Sequence, residues 1–260
     1  GLTLVINWTS GVALNAVYNI ALQLKNSILS FAMNLFKAIA PQITKTYANG
    51  EIEHYKTLVY TGSKLEIFLI YFIIIPFLFR TEYIMRLWLG NSLPPYTVEF
   101  AQCIVFISLL YAAFEPIRTA VLATNKIRNF MLIPDSFYLL VLPISYLSYN
   151  INQEAKLLII SIVCMDILTA CLRIYLASKV SALSIKKIST SIILPALLVA
   201  GCSCIVCYLL NNICNNNIGG LLTLLFLNSI LLMLIIYMIG LSKPERKVIN
   251  VFLSKFLNKK

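Results

Sequence analysis

Charged residues are scarce in this 260-residue chain: they make up 12% of it, and apolar residues make up 60%. Soluble domains usually hold about 25% charged and roughly 45–50% apolar residues. Residues 188–242 contain no Asp, Glu, Lys or Arg, although about 18 consecutive apolar residues already suffice for a membrane-spanning helix. This composition argues against an ordinary soluble domain and favours a multi-pass membrane protein.

The residues that several familiar chemistries require are also missing or few. His54 is the only histidine, so neither a His-based metal site nor a Ser-His-Asp triad can be assembled from this chain. No glycine-rich phosphate loop of the G-x-x-x-x-G-K type occurs, which argues against an ATP-hydrolysing motor in this sequence. Cys204 and Cys207 lack the second pair typical of zinc sites, and cysteine in apolar segments behaves as a small apolar residue. We expect no catalytic residues, no metal site and no cofactor.

Long apolar segments separated by polar turns predict an all-α fold, a multi-pass transmembrane helical bundle. Apolar length places seven spans, at residues 12–40, 65–87, 99–123, 130–150, 156–177, 189–210 and 219–241. The apolar run from Leu2 to Ile6 is too short to span a membrane or to be a signal peptide. It predicts the end of a helix that begins upstream.

The positions of the 21 Lys and Arg residues predict how the bundle is oriented. Most of them lie in four segments, 41–64, 124–129, 173–190 and 241–260. The alternate loops hold only Arg80, Arg86 and Lys156. Because Lys and Arg are enriched in cytoplasmic loops, we expect these four segments and the C-terminus in the cytoplasm. This distribution accounts for the net charge of +11 without a nucleic-acid partner.

The end of the chain has a helix start signal of its own. Ser242-Lys243-Pro244-Glu245 places a capping Ser three residues before a Glu, with Pro in the first turn. Two interpretations remain open for the basic tail, residues 242–260. It is either an amphipathic helix that lies on anionic headgroups or a disordered segment.

Polar side chains recur along one face of the first predicted span. At 100° per residue they fall within a sector about 100° wide. They are Asn15, Asn19, Gln23, Asn26, Ser30, Asn34 and Lys37, and we refer to them as the polar stripe. A full-length stripe favours the wall of a hydrated cavity that forms a substrate path. The alternative is that these side chains form hydrogen bonds across packed helices.

Ionisable side chains inside spans are candidate functional residues, because each costs roughly 2.5–3.5 kcal/mol at the centre of a membrane helix. The candidates are Lys25, Glu115, Arg118, Asp135 and Asp166. Glu115 and Arg118 are expected to pair within their own helix. Asp166 has no cation three or four residues away, so Lys25 is its predicted partner and the two form a candidate ion-coupling site. Asp135 is either a capping or interface residue or a functional charge.

Several short blocks resemble a known family. They are Asn15-Ala16, Ile20-Ala21-Leu22-Gln23, Asn34, Pro41-Gln42-Ile43-Thr44-Lys45-x-Tyr47-Ala48-x-Gly50, Leu87-Trp88-Leu89, Ala123-Thr124-x-Lys126-Ile127, Pro143-Ile144-Ser145-Tyr146-Leu147 and Arg173. In this order they are similar to the second half of bacterial O-antigen and lipopolysaccharide flippases of the Wzx type. These proteins belong to the multidrug/oligosaccharidyl-lipid/polysaccharide exporter superfamily.

The resemblance implies a MATE-like C-terminal lobe at residues 1–177 (the end of helix seven and helices 8–12). Two additional transmembrane helices at 178–241 and the tail at 242–260 would follow it. The implied function is to flip undecaprenyl-pyrophosphate-linked oligosaccharide from the cytoplasmic to the periplasmic leaflet of the bacterial inner membrane. The implied partners are the lipid-linked oligosaccharide, membrane lipids and an N-terminal lobe of the same protein.

Two other functions stay open. A MATE-like drug or metabolite antiporter would share the fold and differ in the lining of its cavity. An integral-membrane polysaccharide polymerase or ligase usually needs acid and base residues in an outer loop. The longest outer loop, residues 88–98, holds no acidic residue and no histidine, so an enzyme is the weaker alternative.

Overall fold

The computed structural model describes residues 2–152 and 155–257, and these residues are almost entirely helical. The helices are α1 (Leu2–Phe36), α2 (Ala40–Ala48), α3 (Ile52–Phe79), α4 (Thr81–Leu89), α5 (Thr97–Ala123), α6 (Arg128–Tyr138), α7 (Val141–Asn152), α8 (Ala155–Val180), α9 (Ile185–Ile188), α10 (Leu194–Ile213), α11 (Ile218–Ile235) and α12 (Lys243–Leu257). Short π-helical segments, Ser189–Ile193 and Ile236–Gly240, precede α10 and follow α11. No strand occurs in the described ranges, which confirms the all-α prediction.

Six helical segments of the described chain are long and apolar enough to cross a membrane. They are Ile52–Phe79, Thr97–Ala123, Arg128–Leu147, Lys156–Val180, Ile185–Ile213 and Ile218–Gly240. Each contains most of one predicted span, so the protein is a multi-pass helical bundle of the membrane type. The first predicted span, 12–40, lies mostly in α1, which is not among the six because polar side chains interrupt its apolar sequence.

The boundaries predicted around the second span are wrong. Residues 41–64, predicted as a loop, form α2 and the first half of α3, while the predicted span 65–87 crosses a helix break at Arg80. Tertiary contacts explain the early start of α3: the buried Tyr55 hydroxyl donates to the carbonyls of Ala120 and Ser181, both at 3.1 Å. Such long-range contacts are invisible to a hydropathy pattern.

Arg80 also explains where α3 ends. Its guanidinium donates to the Asn211 side chain at 2.7 Å and to the carbonyls of Cys214 and Asn215, both at 2.8 Å. Although it was counted as a loop charge, Arg80 is only 4% exposed. It therefore ties the end of α3 to the turn between α10 and α11.

The predicted span 130–150 is discontinuous. Leu139 and Leu140 form a turn between α6 and α7. Pro143 has no N–H to donate to the carbonyl of Leu139, four residues earlier, so an unbroken α-helix is disfavoured there.

Helix α5 lies at the centre of the bundle and packs against α1, α3 and α8, while α10 and α11 form a hairpin that packs on α3. The close approach of this hairpin requires glycine at 240, where a Cβ atom would lie 2.6 Å from the Phe68 ring. Tyr71 of α3 donates to the carbonyl of Ala196 at 3.1 Å. The division into a lobe at 1–177 and two further helices stays a prediction, although the hairpin is a distinct packing unit.

The tail begins with the predicted cap. The Glu245 carboxylate accepts from the backbone N–H and the hydroxyl of Ser242, both at 2.7 Å. Residues 243–257 are helical, so the disordered alternative is wrong for them. Residues 258–260 lie outside the described part of the chain.

Candidate functional site

The polar stripe lies on the outward-facing side of α1. Asn15 is half-buried, and the other six stripe residues are exposed. The opposite face carries the buried residues Leu14, Val17, Tyr18, Ala21, Ile28, Ala32 and Phe36. The helix therefore has an apolar back that packs on the bundle and a polar front that faces away from it.

Hydrogen bonds within the stripe are local. Asn19 donates its amide to the Asn15 carbonyl at 2.8 Å, and the Lys37 ammonium donates to the Asn34 side chain at 2.8 Å. Among the hydrogen bonds of the described residues, none joins a stripe side chain to another helix. Within the described chain, the stripe does not join packed helices, which removes the main support for that alternative.

A conformational break precedes the stripe. Gly11 has φ 81° and ψ 177° and interrupts the helical geometry of α1. Such a φ is readily adopted by glycine and is strained for other residues. The stripe therefore lies wholly on the helical segment after the break, where one period aligns its members.

The predicted intramembrane charges form a second site, around Asp166 of α8. Asp166 is 4% exposed, and its carboxylate accepts hydrogen bonds from Tyr111 at 3.1 Å and Tyr138 at 3.3 Å. The Lys25 ammonium lies 3.7 Å from the centroid of the Tyr111 ring. Hydrogen bonds to a charged group contribute roughly 1.5–3 kcal/mol each, so the two tyrosine hydroxyls stabilise the buried carboxyl group.

Lys25, the predicted partner of Asp166, lies close enough to interact with it electrostatically. No ion pair joins them in the described structure, but the Tyr111 side chain contacts both. Lys25 binds the face of that ring, and the hydroxyl of the same ring binds the carboxylate. A cation over an aromatic face gains about 0.5–2 kcal/mol, depending on its desolvation.

Two ion pairs flank this cluster. The Arg118 guanidinium donates to Glu115 at 3.0 Å within α5, beside Pro116, which confirms the predicted pair. Asp135 of α6 pairs with Arg173 of α8, so it is an interhelical contact. Arg173 had been counted with a cytoplasmic loop but lies inside α8.

A cavity of about 260 Å³ opens between α5, α6 and α8. Its polar lining is formed by Tyr111, Glu115, Arg118, Asp166, Thr169 and Arg173. We call it the charged cleft. The structure thus brings the five predicted charges near one another. Glu115, Arg118 and Asp166 line the charged cleft. Asp135 contacts the lining residue Arg173, and Lys25 contacts the lining residue Tyr111. Lys25 lies off the stripe sector of α1, so it contacts Tyr111 from a different face of that helix than the stripe occupies.

Sequence reasoning missed two buried charges in the first half of α3. Lys64 was counted as a loop charge, yet its side chain is 5% exposed and pairs with Glu245 of α12. Glu66 lies at the edge of the span predicted from residue 65 and is 2% exposed. Gly62 and Ser63 beside these charges were the available signal, since small residues mark close helix packing.

Comparison of the chain with protein-family models, curated proteins and solved structures finds no match. The flippase resemblance therefore rests on the sequence blocks given above, and the site is interpreted from its own geometry.

Proposed function

We propose that this chain is part of a membrane transporter that flips lipid-linked oligosaccharide from the cytoplasmic to the outer leaflet of a bacterial inner membrane. The observation that carries the proposal is the exposed polar stripe on an otherwise apolar, bundle-packed α1. In hydrocarbon such a face would leave amide groups unsatisfied at a cost of several kcal/mol. The stripe therefore faces water or a polar partner, and a hydrated path supplies both.

The chemistry of the stripe suits a sugar. Asn and Gln amides both donate and accept hydrogen bonds, as sugar hydroxyls do. From Asn15 to Lys37 the stripe extends about 33 Å at 1.5 Å per residue, long enough for several sugar units. Lys37, its one cation, lies at the end predicted to be cytoplasmic and suits the pyrophosphate of the carrier.

The charged cleft is proposed as the ion-coupling region. Ionisable side chains within membrane spans often mark ion pathways in transporters. Asp166 is held by Tyr111 and Tyr138 and lies near Lys25, so a cation or proton that binds Asp166 must compete with these contacts. Such competition gives a route from ion binding to rearrangement of α5, α6 and α8.

A facing bundle that closes the path over the stripe is also part of this proposal. Transporters of this kind place the substrate between two lobes and expose it to each side in turn. A second lobe of the same protein is the proposed partner, and lipids cover the remaining apolar faces.

Cysteine scanning of α1 tests the path in native membranes. In a Cys-free background, single cysteines at Asn19, Gln23, Asn26 and Asn34 should react with small water-soluble thiol reagents, and lipid-linked oligosaccharide should slow the reaction. Cysteines at the buried positions Ala21 and Ile28 are the matched controls and should react far less. Equal reaction on both faces, or a stripe that reacts less than the controls, would refute a hydrated path.

A direct assay tests the flipping itself. Vesicles that hold the whole transporter and lipid-linked oligosaccharide on one leaflet should expose the sugar to an added lectin on the other side. Replacing Asn34 by Leu should slow this exposure while membrane insertion stays normal, because Leu cannot bond a sugar hydroxyl. Unchanged exposure in the Leu variant would remove Asn34 from the path.

A MATE-like antiporter is the second candidate function, and the charged cleft is the observation that favours it. A cavity of about 260 Å³ lined by two guanidinium groups and two carboxylates suits a small charged solute. If the Asn34→Leu variant flips normally while Asp166→Asn abolishes movement of a small cation, the antiporter is the better description.

A further inference from the structure

Glu66 in α3 is a buried carboxyl without a partner. It is 2% exposed, and neither of its carboxyl oxygens has a hydrogen-bond partner among residues 2–152 and 155–257. The hydroxyl of Ser63, three residues earlier on the helix, is equally buried and also unpartnered in the described structure. Three other carboxyl groups of the spans, by contrast, have partners: Asp166, Glu115 and Asp135 are each bonded.

The surroundings of Glu66 are apolar and tightly packed. One turn before it, Gly62 faces α5 and α1: a Cβ there would lie 3.7 Å from Pro116 and 3.8 Å from the Phe36 ring. One turn after it, Ile70 clusters with Ala32 of α1 and Ala112 of α5. Glu66 lies between these two contacts on nearly the same side of α3, because residues four apart on a helix lie one above the other.

The charges on the helices packed against α3 do not compensate Glu66. On α5, Glu115 is near enough to interact electrostatically with it, but this group is of like sign and already holds Arg118. On α1, Lys25 lies on the Tyr111 ring and Lys37 on Asn34. The α10–α11 hairpin has no ionisable Asp, Glu, Lys or Arg at all.

The remaining neighbours of α3 are also accounted for. Lys64, on α3 itself, is bonded to Glu245. On α4, Glu82 and Arg86 pair with each other, and Lys45 is an exposed residue of α2. No described cation therefore pairs with Glu66.

We propose that Glu66 is a proton-binding site and is a neutral carboxylic acid in this conformation. An isolated carboxylate in an apolar interior is so unfavourable that the group binds a proton instead, and the like charge of Glu115 adds to this preference. A proton fits better than a metal cation, because hard cations take about six or more oxygen ligands, whereas the unpartnered buried side-chain oxygens of α3 in the described chain are those of Glu66 and Ser63. Release of the proton requires water or a cation to reach Glu66, and so requires α3 to separate from α1 and α5. This inference is independent of the proposed substrate.

Carbodiimide labelling of the purified full chain tests the proposal. Dicyclohexylcarbodiimide is apolar and reacts with protonated carboxyl groups, so at neutral pH it should modify Glu66, as read by mass spectrometry of the peptide. Glu115, ion-paired in the neighbouring helix, and Glu53, exposed at the start of α3, are the matched controls and should stay unmodified. Raising the pH should lower the yield at Glu66 only well above neutrality.

Infrared spectroscopy gives a second measurement that does not depend on reagent access. The carbonyl band of a protonated carboxylic acid should be present at neutral pH and lost in Glu66→Gln, a variant of nearly the same shape that keeps the fold. If neither the band nor the labelling is found in a folded protein, Glu66 is ionised and the proposal is wrong. If sodium ions protect Glu66 from the reagent at constant pH, the site binds a metal cation and the proton assignment is equally refuted.

Discussion

Glu245 connects the tail helix α12 to the bundle through a buried charge. Its carboxylate binds the Lys64 ammonium of α3, accepts from the Thr61 hydroxyl at 3.1 Å and caps α12 through Ser242. The Lys64 side chain is 5% exposed and that of Glu245 is 19% exposed. This contact makes α12 a docked element of the bundle rather than only a helix on the membrane surface.

Replacing Glu245 by Ala should therefore undock α12. Breaking a buried ion pair by removing one partner costs about 3–5 kcal/mol, because the other charge stays buried and unpaired. Since Glu245 keeps a fifth of its exposure, we take about 3 kcal/mol, the lower bound of that range. At about 1.4 kcal/mol per factor of ten, the docking equilibrium should shift by roughly a hundredfold.

Limited trypsinolysis in membranes measures this shift. When opening is fast, cleavage follows the population of the open form, so cleavage after Lys247 in α12 should accelerate by roughly a hundredfold. Glu53→Ala is the matched control, because it removes an exposed pair with Lys56 that is worth about 0–1 kcal/mol. The double variant Lys64→Met, Glu245→Gln should restore slow cleavage. If Glu245→Ala is cleaved no faster than Glu53→Ala, Lys64 does not hold α12.

Three further predictions concern the acid sensitivity of Glu245 and the contacts of Arg80 and Tyr111. Burial raises the pKa of Glu245, but hydrogen bonds from Lys64 and Ser242 and the Lys64 charge hold this pKa below its ordinary value. The docking of α12 that Glu245 stabilises is therefore present at neutral pH and lost on acidification below about 4.3. A protease active in acid should then cut α12 quickly, whereas trypsin added after a return to neutral pH should cut it slowly. Arg80→Ala removes three hydrogen bonds to the α10–α11 turn and, at about 1.5–3 kcal/mol for each bond of a charged group, should lower the stability by about 4.5 kcal/mol or more, seen as a lower midpoint in thermal unfolding. A midpoint equal to that of Arg86→Ala, which removes an exposed ion pair, would contradict this. Tyr111→Phe keeps the ring under Lys25 and removes one hydrogen bond to Asp166, so transport driven by an ion gradient should weaken. Asp166→Asn should abolish the dependence of transport on the gradient while the protein still inserts. Normal transport in both variants would make Asp166 purely structural.

The fold class could be predicted because hydropathy acts on each segment separately. Segments such as 99–123 and 156–177 are mostly apolar, and the helices found there, α5 and α8, begin and end within a few residues of the prediction. The end of α3 at Arg80 was missed, because the apolar residues on both sides of this charge favour one span from 65 to 87. The Arg80 charge is satisfied by carbonyls that lie more than 130 residues away.

The polar stripe could be predicted from the sequence, whereas the contact of Lys25 on the same helix could not. Its alignment depends only on the helical period after Gly11, which is local information. The contact of Lys25 with the Tyr111 ring joins two helices distant in sequence, and its partner is an aromatic face rather than a carboxylate. Charge complementarity along the sequence therefore identified Lys25 and Asp166, but not the Tyr111 side chain that contacts both.

Helix α5 links the two groups of intramembrane charge. It carries Tyr111, which binds Asp166, and Glu115, which neighbours Glu66. Between Glu115 and Arg118 stands Pro116, which has no N–H to bond the carbonyl of Ala112 and so weakens the helix at that turn. A bend of α5 there would alter the contact with Asp166 on one side and the packing over Glu66, at Gly62, on the other. Proton binding at Glu66 and ion binding at Asp166 are thus expected to be coupled through α5, and a double variant of the two residues should deviate from the sum of the single effects.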